Sequence, residues 1–224
     1  FRVLHEILIL AETAQKNIGE DLYKKSYNNR DIHLLCGFYR SVLTPEGSTP
    51  ALNDTTHYFV DPGLLRLCAY RYSDSTLLFA SDQYLRGRQS SYGKDSLSWD
   101  PPTWMLISYG LGDLTPSQPE FTSVNLPAYG ASILRENWTE SSQYGLLQYT
   151  QSKSHYEDAF GTFYLWDNGP WMVGNGYNIP AAKPTNQHST LSFDNFSQNN
   201  SAGESLVFSS TLPDLKAAVV TGTP

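Results

Sequence analysis

The segment SHYEDAFG, starting at Ser154, gathers the groups best able to move a proton: His155, Glu157 and Asp158. Histidine exchanges its proton near neutral pH and serves as acid or base. A pair of carboxylates about 5 to 10 Å apart hydrolyses a glycosidic bond, and Asp167 or Asp100 would supply the second member of such a pair. Glu157, Asp158 and Asp167 also offer oxygen ligands to calcium, but without the spacing of an EF-hand loop. Alternating charges on an exposed strand or loop give the same letters without chemistry. On that ground no catalytic residue, metal ligand or cofactor is assigned, and a secreted glycoside hydrolase stands only as an alternative.

The other motifs of chemistry are missing. His5, His33, His57, His155 and His188 never fall at zinc-ligand intervals with the two cysteines. GLGDLT and GNGYNI begin like a dinucleotide-binding loop but lack its third glycine, and both lead into proline-containing segments that read as turns. The net charge of −7 and the absence of clustered Lys and Arg exclude a nucleic-acid role. No stretch approaches the roughly 20 apolar residues that span a bilayer.

Aromatic residues supply the second candidate site. SLSWDPPTWMLI, from Ser96, and FYLWDNGPWMVG, from Phe163, share Trp-Asp, a short turn and Trp-Met. Each reads as a β-hairpin whose aspartate starts the turn. Trp99 would then face Trp104, and Trp166 would face Trp171, as cross-strand aromatic pairs. Exposed indoles would stack on sugar rings, making a carbohydrate-binding module; buried ones would clamp the hairpins.

Elements that position these groups follow from periodicity. Residues 1–25 predict a helix, with Leu4, Ile7, Leu8, Ala11, Ala14, Ile18 and Leu22 at helical spacing. Beyond it, short β-prone runs between Pro, Gly, Asn and Ser clusters predict strands near 32–42, 57–60, 64–72, 76–80, 96–99, 104–109, 131–136, 145–150, 162–166, 171–173, 206–209 and 217–220. The expected fold is mainly β, a single-domain antiparallel sandwich or barrel with one N-terminal α-helix. It comprises leading strands over 26–67, an internally duplicated β-meander at 68–126 and 137–194, and C-terminal strands over 195–224.

Cys36 and Cys68 lie in runs that read as strands, and bonding them would close a loop worth ~3–4 kcal/mol. Four glycosylation acceptors, Asn53, Asn137, Asn195 and Asn199, join them in pointing to a secreted, extracellular chain. The helix is apolar on too many sides for one sheet to cover. The expected function is therefore a non-catalytic structural or assembly subunit of an extracellular coat, matrix or filament. Its N-terminal helix would dock on another copy or another extracellular protein, with glycans as further partners.

Overall fold

The structure, a computed structural model, describes residues 2–50, 60–92, 113–127, 129–148, 162–172, 205–212 and 215–221. The chain divides into two compact units, Phe1–Ser48 with Phe59–Pro119, and Thr49–Tyr58 with Glu120–Pro224. The described part of the first is helical and that of the second is antiparallel sheet, so the expectation of a mainly-β, all-β sandwich or barrel is corrected.

In the helical unit, α1 spans Arg2–Ile18, a 3₁₀ turn covers Leu22–Lys24, and α2, α3 and α4 span Ile32–Val42, Pro62–Tyr72 and Ser75–Tyr92. The predicted stripe on α1 is present at Leu4, Leu8, Ala11 and Ala14, which are buried, whereas its predicted member Ile18, at the last residue of α1, faces water with Ile9 and Leu10. Gly19 ends the helix at φ +69°, where a side chain would be strained, while the amide of Glu20 bonds back to the Ala14 carbonyl.

The three remaining helices occupy segments whose aromatic and β-branched content predicts strands. Each begins at an aspartate cap. Asp31 accepts the Leu34 amide at 2.7 Å, Asp61 the Gly63 amide at 2.7 Å, and Asp74 the amides of Thr76 and Leu77. Pro62 follows its cap at the first helical position, where its missing N–H costs nothing. Helix α3 is buried nearly all round, which erases the 3.6-residue pattern from its sequence. Helix α4 buries Leu77, Ala80, Ser81, Tyr84 and Arg88, a true helical stripe written partly in polar letters. Between these two helices Ser73 adopts the left-handed region, φ 52°, to make the corner.

Cys36 and Cys68 are bonded to each other, both fully buried, so the predicted disulfide is present. It joins helix α2 to helix α3 rather than two strands. Nearby, the backbone of α4 at Gly87 meets the turn at Glu46 and Gly47 so closely that a Cβ on Gly87 would overlap both carbonyl oxygens. Gly47 itself stands at φ +80°.

The sheet unit carries β1 (Val124–Leu126), β2 (Ala131–Arg135), β3 (Tyr144–Gln148), β4 (Thr162–Trp166) and β5 (Pro170–Met172), hydrogen-bonded in that order as an antiparallel meander. A separate hairpin pairs β6 (Ser205–Leu212) with β7 (Leu215–Thr221). Register places Arg135, Tyr144 and Trp166 in one row, Ile133, Leu146 and Tyr164 in the next, and Ala131, Gln148 and Thr162 in a third, all buried. Successive strand residues alternate faces, so these rows form one continuous inner surface.

The duplicated meander is also corrected. Its two predicted copies differ in kind, because the first, 68–126, contains α4, whereas the second, 137–194, contains β3 and β4. The first Trp-Met stretch, 96–107, is outside the described residues. The second is a hairpin as predicted, but Trp166 stands opposite Pro170 and Leu165 opposite Met172, so Trp171 is passed over at a bulge rather than paired with Trp166.

Candidate functional site

Most of the residues singled out for chemistry, His155, Glu157, Asp158 and Asp100, lie outside the described residues, as do Trp99, Trp104, Asn53, Asn195 and Asn199. Asp167 begins the β4–β5 turn, where its amide donates to the Gly169 carbonyl at 3.0 Å. Trp166 is 2% exposed, meeting Tyr144 edge-on at 5.5 Å and lying parallel to Tyr164 at 6.5 Å. Its indole packs the inner surface and offers no face to a sugar. Asn137 sits in the β2–β3 connection, its side-chain oxygen accepting from the amide and hydroxyl of Thr139 within the sequon. Trp138, beside it, is buried with its N–H donated to the Phe121 carbonyl at 2.8 Å and its face against Arg135 at 3.6 Å.

A titratable cluster that sequence reasoning missed lies where α2 meets the α3–α4 corner. The Asp74 carboxylate takes His33 Nε2 at 2.8 Å and Arg40 Nη1 at 3.2 Å on one oxygen, and the Thr76 hydroxyl at 2.6 Å on the other. Arg40 also donates to Thr76 Oγ1 at 2.6 Å. Burial pushes the Asp74 carboxyl up, but the hydrogen bonds of Thr76, His33 and the Leu77 amide, with the Arg40 charge, outweigh it and hold it at about 2. Because Asp74 is then ionised and can only accept, His33 must carry a proton on Nε2, which leaves Nδ1 as the acceptor of its neutral form. The imidazole is 43% exposed and stacks on Tyr72 at 4.4 Å.

Tyr72 is a poor proton donor. Burial pushes its hydroxyl up to about 12, and that hydroxyl donates to the Tyr23 carbonyl at 3.0 Å. Burial likewise pushes the Tyr144 hydroxyl well up in the sheet unit. Asp74 ties three elements together, so His33 is held in place by a group whose work is structural. Sequence carries only part of this cluster: Asp74-Ser75-Thr76 reads as a cap followed by a hydroxyl able to bond it, and nothing local points to His33 or Arg40. Among the described residues no group of three or more His, Cys, Asp and Glu is arranged to hold a metal ion, and no helix is long and apolar enough to cross a membrane.

No protein-family model and no curated protein matches this chain. Its fold is nonetheless found in solved structures. Heparan sulfate lyase HepC from Pedobacter heparinus superposes with a TM-score of 0.61 at 16% identity, covering 85% of this chain and 28% of that one. A mutant of the same lyase superposes with a TM-score of 0.60, at the same identity and coverage. The likeness is one of fold, and this chain spans less than a third of the length of those structures.

Proposed function

We propose that this chain belongs to a polysaccharide-cleaving enzyme that works by elimination, a lyase acting on a uronate-containing polymer outside the cytosol. The observation that carries this reading is the fold shared with a heparan sulfate lyase over 85% of the chain. The buried disulfide and the acceptor sequons support the compartment. The reading is preferred to a coat or filament subunit because the shared fold supports it, whereas the coat reading rests on the apolar residues of α1 that face water, Ile9, Leu10 and Ile18. Of the four tryptophans on which a sugar-binding module would rest, the one whose side chain is described, Trp166, is buried and speaks against it.

Elimination needs a base to take the proton from the carbon bearing the uronate carboxylate. The electron pair of that C–H bond forms a carbon–carbon double bond, the glycosidic C–O bond breaks, and the departing oxygen takes a proton from an acid. Among the described acid–base groups Tyr72 and Tyr144 are pushed away from neutrality and His33 is tied to Asp74. His155 is the better candidate by its position in the chain. His155, Glu157 and Asp158 stand together between β3 and β4 in the chain, outside the described residues.

The test uses the native full-length protein and follows the ultraviolet absorbance of the new double bond on uronate polymers. His155→Ala is expected to lower the rate by about 10²- to 10⁴-fold at an unchanged unfolding midpoint. His33→Ala is expected to leave the rate within a few fold and to lower the midpoint. Saturated products, as a hydrolase using Glu157 and Asp158 would make, would rule the lyase reading out, and a full rate in His155→Ala would remove His155 from it.

A further inference from the structure

We infer that Tyr27 and Arg30 form a subsite for one acidic sugar residue, the Tyr27 ring taking the face of the sugar and the Arg30 guanidinium its carboxylate; the inference rests on the lyase reading and gives its polymer a contact on the helical unit. The two residues close a tight turn between the 3₁₀ turn and α2, each donating its amide to the other's carbonyl at 2.9 Å. Asn28 and Asn29 at the corner take φ of 50° and 57°, the left-handed pair that a type I′ turn requires. Asparagine enters that region more readily than most residues bearing a Cβ. In such a doubly hydrogen-bonded antiparallel pair the two side chains leave the backbone on the same side, with Cβ atoms about 5 Å apart.

The pair is firmly held and left open. Before it, buried Tyr23 donates its hydroxyl to Glu12 at 2.7 Å; directly after it, Asp31 caps α2. Tyr27 is 79% exposed, more than any other large apolar side chain described. A ring that served to stiffen the turn would lie over it, whereas this one leaves most of its surface in water. Arg30 is exposed as well, and its side chain makes no ion pair, hydrogen bond or ring contact among the described residues. Lys24 and Lys25 on the same connection are instead paired with Asp21 and Glu20. A tyrosine ring is a rigid amphipathic platform that costs little entropy to order. A guanidinium beside it takes a carboxylate through two parallel N–H donors. A neutral sugar would leave the arginine idle and a bare anion would leave the ring idle; a uronate uses both.

The experiment measures equilibrium binding of the full-length protein to heparan sulfate, hyaluronan, polygalacturonate and alginate, each intact and with its carboxylates reduced to alcohols. Eliminative cleavage is followed in parallel. At least one intact polymer is expected to bind more tightly than its reduced form. Arg30→Ala should weaken binding of the intact polymer by about 3- to 10-fold and leave that of the reduced form unchanged. Tyr27→Ala should weaken both forms by about the same factor. Neither change should move the unfolding midpoint, since both side chains are exposed. An Arg30→Ala protein that keeps its full preference for the carboxylate, a Tyr27→Ala protein that binds as tightly as the unchanged one, or no binding of any intact polymer overturns the inference. Binding that follows the expected pattern without cleavage keeps the subsite and strikes the lyase reading instead.

Discussion

Residues 32–92 and residues 124–221 look alike as text, yet the described part of the first is helix and that of the second is sheet. Both are rich in Leu, Tyr, Phe and short polar clusters. The difference lies in what starts each run. Asp31, Asp61 and Asp74 each precede an apolar run and satisfy amides that a helix leaves unbonded at its start. In β2, β3 and β4 the buried residues instead alternate with period two or nearly so. The aspartate caps therefore mark helix starts that β propensity, worth up to about 1 kcal/mol per residue and dependent on context, does not reveal.

The comparison makes the two regions depend on different things, aromatic packing in the sheet and caps, a covalent link and close backbone contact among the helices. The largest effect is expected in the sheet. Trp166→Ala removes a 2%-exposed indole packed against Tyr144 and Tyr164, and should cost ~3–5 kcal/mol in denaturant unfolding. A cost under 1 kcal/mol would mean the aromatic row does not hold the meander. Next comes the paired change Cys36→Ser with Cys68→Ser. It should lower stability by ~2–5 kcal/mol, with the loss in the helical circular dichroism signal. The unchanged protein under reductant should move in the same direction.

Gly87→Ala sharpens the helical side of the contrast. Alanine favours a helix, so at an open position it would stabilise, but here the added Cβ meets the carbonyls of Glu46 and Gly47. A loss of ~1–3 kcal/mol is expected, and a gain in thermal stability would show that the two backbones move apart freely. The smallest effect is expected at the cap. Asp74→Asn should cost ~1–2 kcal/mol near neutral pH. Since the folded carboxyl titrates at about 2, below its ordinary value of 3.8, its contribution is present above roughly pH 4 and fades as pH falls towards 2. The variant's stability should therefore vary less over that interval, as acid titration of circular dichroism would record.

The sheet was largely legible because its strands alternate: the run Thr162–Trp166 was predicted to the residue and Ala131–Arg135 to within one. Helix α1 was legible through its stripe. Helix α3 was hidden because burial on all sides removes periodicity, and α4 because Ser81, Gly87 and Arg88 are buried without being apolar. The tryptophan register failed for a local reason. A bulge of one residue cannot be read from composition, and it shifts Pro170 into the place expected for Trp171. The His33–Asp74 cluster brings together residues 41 positions apart, which only the meeting of α2 with the α3–α4 corner reveals.

The bond between Cys36 and Cys68 encloses a covalent ring that also contains the sequon asparagine Asn53. A protease cutting once anywhere inside that ring opens the backbone without releasing a fragment. Such a nicked chain would keep its mass on a gel until reductant separates it into two pieces, and a glycan at Asn53 would stay tethered to both ends of the break.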